Sequence, residues 1–301
     1  MIKFSNWDYC KKSAFVSSWD DYLTDSWRKL VEYANKKQIL LTFYINNGYV
    51  EDPIYFPYYQ TKVSNNDIKF FNDVFEQGHE IGGHTTHHND MSKMTNDDIE
   101  KDCLKWLNAM KTHTIIKEQD VENLTFAYPY GKRPKSLDII KKHFIGARSI
   151  TNGLNDINPR NIYRLKSIHL GKRTTLEKLN KLLDESIENN KLLIESGHGV
   201  DKEGYSPIPL SIVCDHYDYI FSKKKDIWIT TMVNVIKYII QRNNIEIILS
   251  NVNEISFKIK KPINFKLIPL TIELPNNRYF RTDKFNSIIF IDKIEKVYLK
   301  T

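Results

Sequence analysis

Short apolar runs alternating with amphipathic stretches govern the chain from its start to about residue 241. The strand candidates are AFVSS (14–18), ILLTFYI (39–45), HEIGG (79–83), LTFAY (124–128), FIGAR (144–148), LLIESG (192–197) and DIWIT (226–230). Several are almost continuously apolar, the pattern of parallel strands covered on both faces. The intervening stretches read as helices. Trp27, Leu30, Val31 and Ala34 share one face, with Thr24 or Asp25 placed to cap it. Thr95 with Asp98 three residues on resembles a capping box, followed by a stripe of Ile99, Cys103, Trp106, Leu107 and Met110. Leu176, Leu179, Leu183 and Ile187 form another stripe, Val213, Tyr217 and Ile220 a further one, and 230–242 gives a last helix. Strand then helix, repeated about seven times, predicts a parallel α/β barrel or open sheet.

The pattern changes after about residue 243. EISFKIK alternates strictly, FKLIPLTIEL and SIIFIDKIEKVYL are strand-like, and no helical period survives. No glycine follows Gly204, so turns there rely on Asn, Asp and Pro. The expected division is a large α/β domain over 1–242 and a small antiparallel β module over 243–301. A module of that size has a marginal core and is expected to pack on its neighbour.

Composition narrows the picture modestly. With 41% hydrophobic and 27% charged residues, the chain has an ordinary globular balance. It contains no apolar run of the roughly 20 residues that span a bilayer, and its first residues lack an apolar leader core. A cytoplasmic location is the expectation. Three scattered cysteines, Cys10, Cys103 and Cys214, argue against a disulfide framework or a cysteine metal site. The net charge of +7 is spread along the sequence, the longest basic run being Lys223 to Lys225, so no nucleic-acid partner is expected.

Three stretches carry candidate chemistry. GGHTTHHND (82–90) holds three of the nine histidines, and His84 and His88 stand four apart, close enough on one turn to share an ion. Taken alone, a polar loop rich in imidazole fits as well. HExxH is absent, which removes a zincin peptidase. Gly82 and Gly83 allow a sharp turn at a strand end. In SSWDDY, the adjacent Asp20 and Asp21 follow an apolar strand and repel each other unless a cation or proton lies between them; a helix cap beside a solvated charge is the plainer alternative. In LLIESGHGV, glycines flank His198 at another strand end, where it can reach into a cleft or be satisfied in the interior.

In combination, the ordered set SSWDDY, LLTFYI, GGHTTHH, FAYPYG and LLIESGHGV resembles the polysaccharide deacetylases, carbohydrate esterase family four, with the NodB-homology domain. The resemblance covers about residues 10 to 241. It implies a distorted (β/α) barrel of about seven strands, here with the small C-terminal antiparallel β module, and a divalent metal, usually zinc, in a groove. By that resemblance Asp20 matches the catalytic base, and Asp21, His84 and His88 match the metal ligands. Tyr130 matches the residue whose backbone N–H helps hold the oxyanion, His198 matches the general acid, and His87 falls between motif positions. Three departures accompany these matches. Tyr22 stands where the family has glycine after the aspartate pair. Ala127 stands where many members have the arginine that braces the base, with Arg148 near another strand end as the substitute. The fourth motif, whose aspartate tunes the histidine, has only Asp156 as a candidate.

The implied activity is metal-dependent removal of N-acetyl, or O-acetyl, groups from a sugar chain or glycolipid headgroup. Three protein ligands leave a zinc position open for water, whose pKa falls to about 7. The same ligand types occur in non-haem iron oxygenases, but there the carboxylate usually sits close in sequence to one histidine. The alternatives are a carbohydrate-binding or assembly protein on a decayed deacetylase barrel, and a deformylase or other amide hydrolase on the same fold. The aromatic segment NNGYVEDPIYFPYYQTK offers Tyr58 and Tyr59 for stacking on sugar faces, or for packing its own rings on the barrel. Arg148 completes the expected substrate-side set.

Overall fold

The computed structural model describes residues 2–21, 24–46, 65–113, 123–251, 254–290, 294 and 296–300. Its main sheet is parallel and contains β2 (Ser13–Asp20), β3 (Leu41–Ile45), β4 (Glu80–Gly83), β5 (Thr125–Ala127), β6 (Gly146–Arg148), β7 (Ile168–His169), β8 (Leu192–Gly197) and β9 (Ile227–Ile229). The order across it is β6-β5-β4-β3-β2-β8-β7, with β9 also paired to the start of β2. Between these strands come α1 (Thr24–Lys36), α2 (Asn65–Glu76), α3 (Asn96–His113), α4 (Asp138–His143), α5 (Leu176–Glu188), α6 (Leu210–Ser222) and α7 (Met232–Asn244). The segment before β7 links the two edges of the sheet: Arg148 bridges Leu165, while Ile168 and His169 pair with β8. This is the distorted (β/α) barrel that the resemblance implies, and of the two forms that the alternation of apolar runs and helical stripes predicts, barrel or open sheet, it is the barrel.

Alternation along the strands sorts side chains to two faces. Phe15, Trp19, Phe43, Ile45, Ile81, Phe126 and Leu193 pack with Trp27, Leu30, Phe71, Trp106, Leu179 and Tyr217 of the surrounding helices. Ala14, Val16, Tyr44, Leu192 and Ile194 face inward, where they meet Met232, Val235, Ile236 and Ile239 of α7. The last helix therefore fills the concave side. Its start is fixed by the sheet: Met232 N–H donates to Thr42 Oγ1 at 3.0 Å and Val233 N–H to Glu80 Oε2 at 2.8 Å. Glu80 is fully enclosed and its carboxyl is pushed up by burial, against hydrogen bonds from Thr125, Val233 and Thr42. A carboxylate at a helix start is favourably placed against the helix dipole.

Two small antiparallel sheets complete the chain. One has the order β1-β12-β13-β15 and the other β10-β11-β14, built from β1 (Lys3–Phe4), β10 (Ile245–Asn251), β11 (Glu254–Ile259), β12 (Leu270–Leu274), β13 (Arg278–Thr282), β14 (Ile289–Phe290) and β15 (Tyr298–Leu299). The boundary near residue 242 is crossed repeatedly. Lys3 and Phe4 pair with Glu273 and Ile272. The Asp8 carboxylate accepts from the Arg281 guanidinium at 2.9 and 2.6 Å. Gln241 exchanges two hydrogen bonds of 2.8 Å with the backbone of Ile268. Leu270 and Phe285 join the core cluster that contains α7. The β module thus shares a core with the barrel and borrows a strand from the start of the chain. A chain ending at 242 is expected to lose cooperative thermal unfolding, read by circular dichroism; a truncated protein melting as sharply and as high as the full chain contradicts this.

Candidate metal and hydrolytic site

The site lies where β2, β3, β4, β5 and β8 end, the rim at which ligands gather in α/β folds. Asp20 closes β2, and Asp21 follows with φ 79°, outside the range an aspartate usually adopts. That turn separates two neighbouring carboxylates that are both buried. Asp21 Oδ1 comes within 3.7 Å of His84 Nε2 and 3.5 Å of His88 Nε2. Two atoms each about 2.0–2.1 Å from one tetrahedral zinc stand about 3.3 Å apart. The spacing therefore suits one shared ion, and all three ligand atoms fall within 4.8 Å of one another.

The proton states fit the same use. His84 donates its Nδ1–H to the Ala127 carbonyl at 2.8 Å, which turns the Nε2 lone pair toward Asp21. Burial pushes the His84 imidazole below its ordinary value, against the Asp20 charge. Burial first, then the His84 ring, pushes His88 down to about 3. Both rings are neutral near pH 7, so these contacts are not ordinary salt bridges. Neutral imidazoles beside a carboxylate are the donor state a divalent cation takes.

The loop between the two histidines is held without glycine. Thr85 and His88 adopt φ of 63° and 54°, a sparsely populated region for such residues. Buried Asp102 on α3 pins it by accepting from Thr86 N–H at 2.9 Å and Asn89 Nδ2 at 3.3 Å, and Thr85 Oγ1 accepts from Asn89 N–H at 3.1 Å. Gly82 and Gly83 are needed for another reason than the turn expected of them: both lie within β4. A Cβ on Gly82 would stand 2.6 Å from the Tyr44 ring, and one on Gly83 2.7 Å from Phe144. Gly197 likewise makes room for Trp19, 2.6 Å from its would-be Cβ.

Arg148 is 1% exposed and directs its guanidinium to Asp20 Oδ1, while its Nε–H donates to Ser18 Oγ at 3.0 Å. Its Cζ lies 5.0 Å from the centroid of the Tyr44 ring. Burial alone raises the Asp20 carboxyl; Arg148, then His84 and His198, more than offset it and hold the group below its ordinary value. Arg148 is thus set against a carboxylate in the interior, away from the open side where a substrate-side residue is expected. Its position supplies the brace that Ala127 lacks.

His198 follows β8, its carbonyl accepting from Trp27 Nε1 at 2.8 Å. Its Nδ1 is buried without a hydrogen bond, and burial pushes the ring down to about 4. The ring stands edge-on to His169, with centroids 5.7 Å apart, and to Tyr205, 5.4 Å away. Asp156 is not beside it; that carboxylate pairs with Lys191 at the surface, so no aspartate takes the tuning position through that residue. Tyr130 adopts φ 56° in the turn Pro129–Gly131, with its ring centroid 4.4 Å from that of His88. The bonds closing this turn run from Gly131 N–H to Tyr128 O and from Lys132 N–H to Pro129 O, leaving the Tyr130 N–H outside them. Tyr58 and Tyr59 lie outside the described residues. Asp102, Ser18, His169 and Tyr205 are site components that the motifs did not single out. Only the adjacency of Tyr205 to the GHG stretch offered a signal.

Comparison with known proteins agrees with this fold. Residues 9–145 match the family described as polysaccharide deacetylase. The matched segment, somewhat under half of the chain, is similar to that family. No curated protein matches the chain. Among solved structures, a protein of Mycobacterium smegmatis described as a polysaccharide deacetylase is similar with a TM-score of 0.53 at 10% identity, covering 80% of this chain and 94% of its own. PdaA of Bacillus subtilis, a family 4 carbohydrate esterase, has a TM-score of 0.51 at 14% identity, covering 77% of this chain and 84% of its own. At such identities the likeness is one of fold.

The Arg148 contact yields a direct test. Replacing Arg148 with Gln removes the cation and leaves burial to act, so the Asp20 pKa should rise, read by carboxyl NMR titration of the metal-free protein. Stability should fall by about 3–5 kcal/mol, because a buried charge loses its partner. In the native protein the depressed Asp20 value adds stability above the unfolded pKa of about 3.9, which is lost as pH drops through the folded value. An unshifted Asp20 in the variant contradicts the assignment.

Proposed function

We propose that the chain is a metal-dependent carbohydrate deacetylase that hydrolyses an N-acetyl, or O-acetyl, group on a saccharide. The observation that carries this reading is the meeting of Asp21 with two neutral imidazoles beside a second, separately braced carboxylate. Asp21, His84 and His88 would hold the ion, with zinc the best match to one carboxylate and two imidazoles. When bound, the ion supplies Lewis acidity, polarising the acyl oxygen and making water easier to deprotonate.

The rest falls to the chain's own groups. Asp20, kept ionised and oriented by Arg148, takes a proton from the attacking water as its oxygen bonds to the acetyl carbon. The Tyr130 N–H, presented by its strained turn, donates to the oxygen that gains negative charge. His198, neutral near pH 7, must acquire a proton during turnover before it can pass one to the amine nitrogen. The C–N bond then breaks to give acetate and a free amine. The exposed rings of Tyr130 and Tyr205, 59% and 68% accessible, offer apolar faces with polar tips on either side of these groups, which suits a sugar ring.

One observation favours a second, non-catalytic reading: the His198 ring faces another imidazole and a phenol rather than a carboxylate. Such a site can bind an acetylated sugar without turning it over. Acetate release from acetylated chitooligosaccharides, O-acetylated saccharides and formylated amines separates the readings and the acyl group. Activity should vanish with a chelator and return with zinc. Asp20→Asn should lose about 100-fold or more in kcat while keeping its metal content. Binding without release from any substrate supports the non-catalytic reading instead.

A further inference from the structure

Asn46 directly follows β3 at the rim that carries the site. Its side chain is fully buried, and neither its carboxamide oxygen nor its nitrogen makes a hydrogen bond. Burying an amide with both polar atoms unmet is costly. Nearly all such groups in folded proteins find a partner, and an exception points to a water or ion. Trp7 and Thr231 also leave a side-chain polar atom unmet, but one each, and Glu195 leaves one oxygen unbonded while holding His216 at 3.0 Å through the other; Asn46 leaves two.

The sheet register shows where this amide sits. β3 runs between β2 and β4, pairing Tyr44 with Asp20 on one side and Ile45 with Gly83 on the other. Extended by one residue, the same register would put Asn46 level with His84 and one step past the level of Asp21. Alternation gives its direction. Thr42 and Tyr44 face inward, where they meet Glu80, Thr125 and the Arg148 guanidinium, while Phe43 and Ile45 pack under the helices. Ile45 is further fixed by its carbonyl, which accepts from Trp106 Nε1 at 2.7 Å. Carried one residue past β3, the same alternation would turn Asn46 inward, the side taken by Asp20 on β2. A residue that merely capped the chain after β3 would bond to backbone, and Asn46 does not.

We propose that Asn46 is a fourth polar group of the metal centre, with a carboxamide that hydrogen-bonds the shell of a divalent cation held by Asp21, His84 and His88. This rests on the reading of those three residues as a metal site. Asn46 is then a positioning residue: it is satisfied when the ion and its water are present, and strained when they are absent.

The test uses Asn46→Leu, close in size but apolar, with Asn46→Ala as the variant of record should the first not fold. Zinc affinity is measured by chelator competition, and thermal unfolding is followed with and without zinc. The expected result is a metal-free variant at least as stable as metal-free wild type, with zinc affinity lower by about 10–100-fold and a smaller zinc-induced rise in Tm. Unchanged zinc affinity overturns the proposal. So does an affinity loss accompanied by a less stable metal-free protein, which marks Asn46 as structural. A wild type that takes up no zinc sinks the metal centre and this proposal together, and is recognised on the wild type alone.

Discussion

Two carboxylates placed next to each other in the interior set the terms for the whole site. Asp20 and Asp21 are 5% and 4% exposed, and like charges so close cannot both stay ionised unless each is compensated. The chain resolves the conflict by turning the backbone at Asp21, which sends the two side chains to different partners. Asp20 receives a guanidinium from β6, on the far edge of the sheet. Asp21 receives two imidazoles that burial keeps uncharged. Neutral rings add donors without adding positive charge, and that combination calls for a cation.

The fold exists to bring these groups to one rim. β3 holds β2 and β4 side by side, so residues some sixty positions apart in sequence meet at the ends of nearly adjacent strands. Asp102 anchors the left-handed loop that aims His88, and Tyr44 and Thr125 close the space beneath Gly82. On the concave side α7 and the β module fill the interior from the opposite end. Glu80 joins the start of that helix to the sheet, so packing far from the rim also fixes the strands that carry Asp20 and His84.

Much of this was legible in the sequence because parallel strands covered on both faces leave unbroken apolar runs. The seven runs read from the pattern all became strands. β7 escaped notice because two residues carry no period, and β1 because its partner lies at the other end of the chain. The glycine pair before His84 was noticeable, but its cause was not: close approach by Tyr44 and Phe144 is a tertiary fact. Arg148 was identifiable as a spare arginine at a strand end, yet its burial against Asp20 depends on how β6 curls toward β2. Asp156 failed for the matching reason, since proximity along the chain gave no information about the direction it faces. Asp102 and His169 act through long-range contacts that leave no local signature.

The central claim is that Asp21, His84 and His88 bind one ion. Crystals grown with zinc and measured at the zinc absorption edge test it most directly. A single strong anomalous peak is expected about 2.0–2.2 Å from the Asp21 carboxylate and from both Nε2 atoms. An empty position between those three side chains, with zinc bound elsewhere or nowhere, would contradict it.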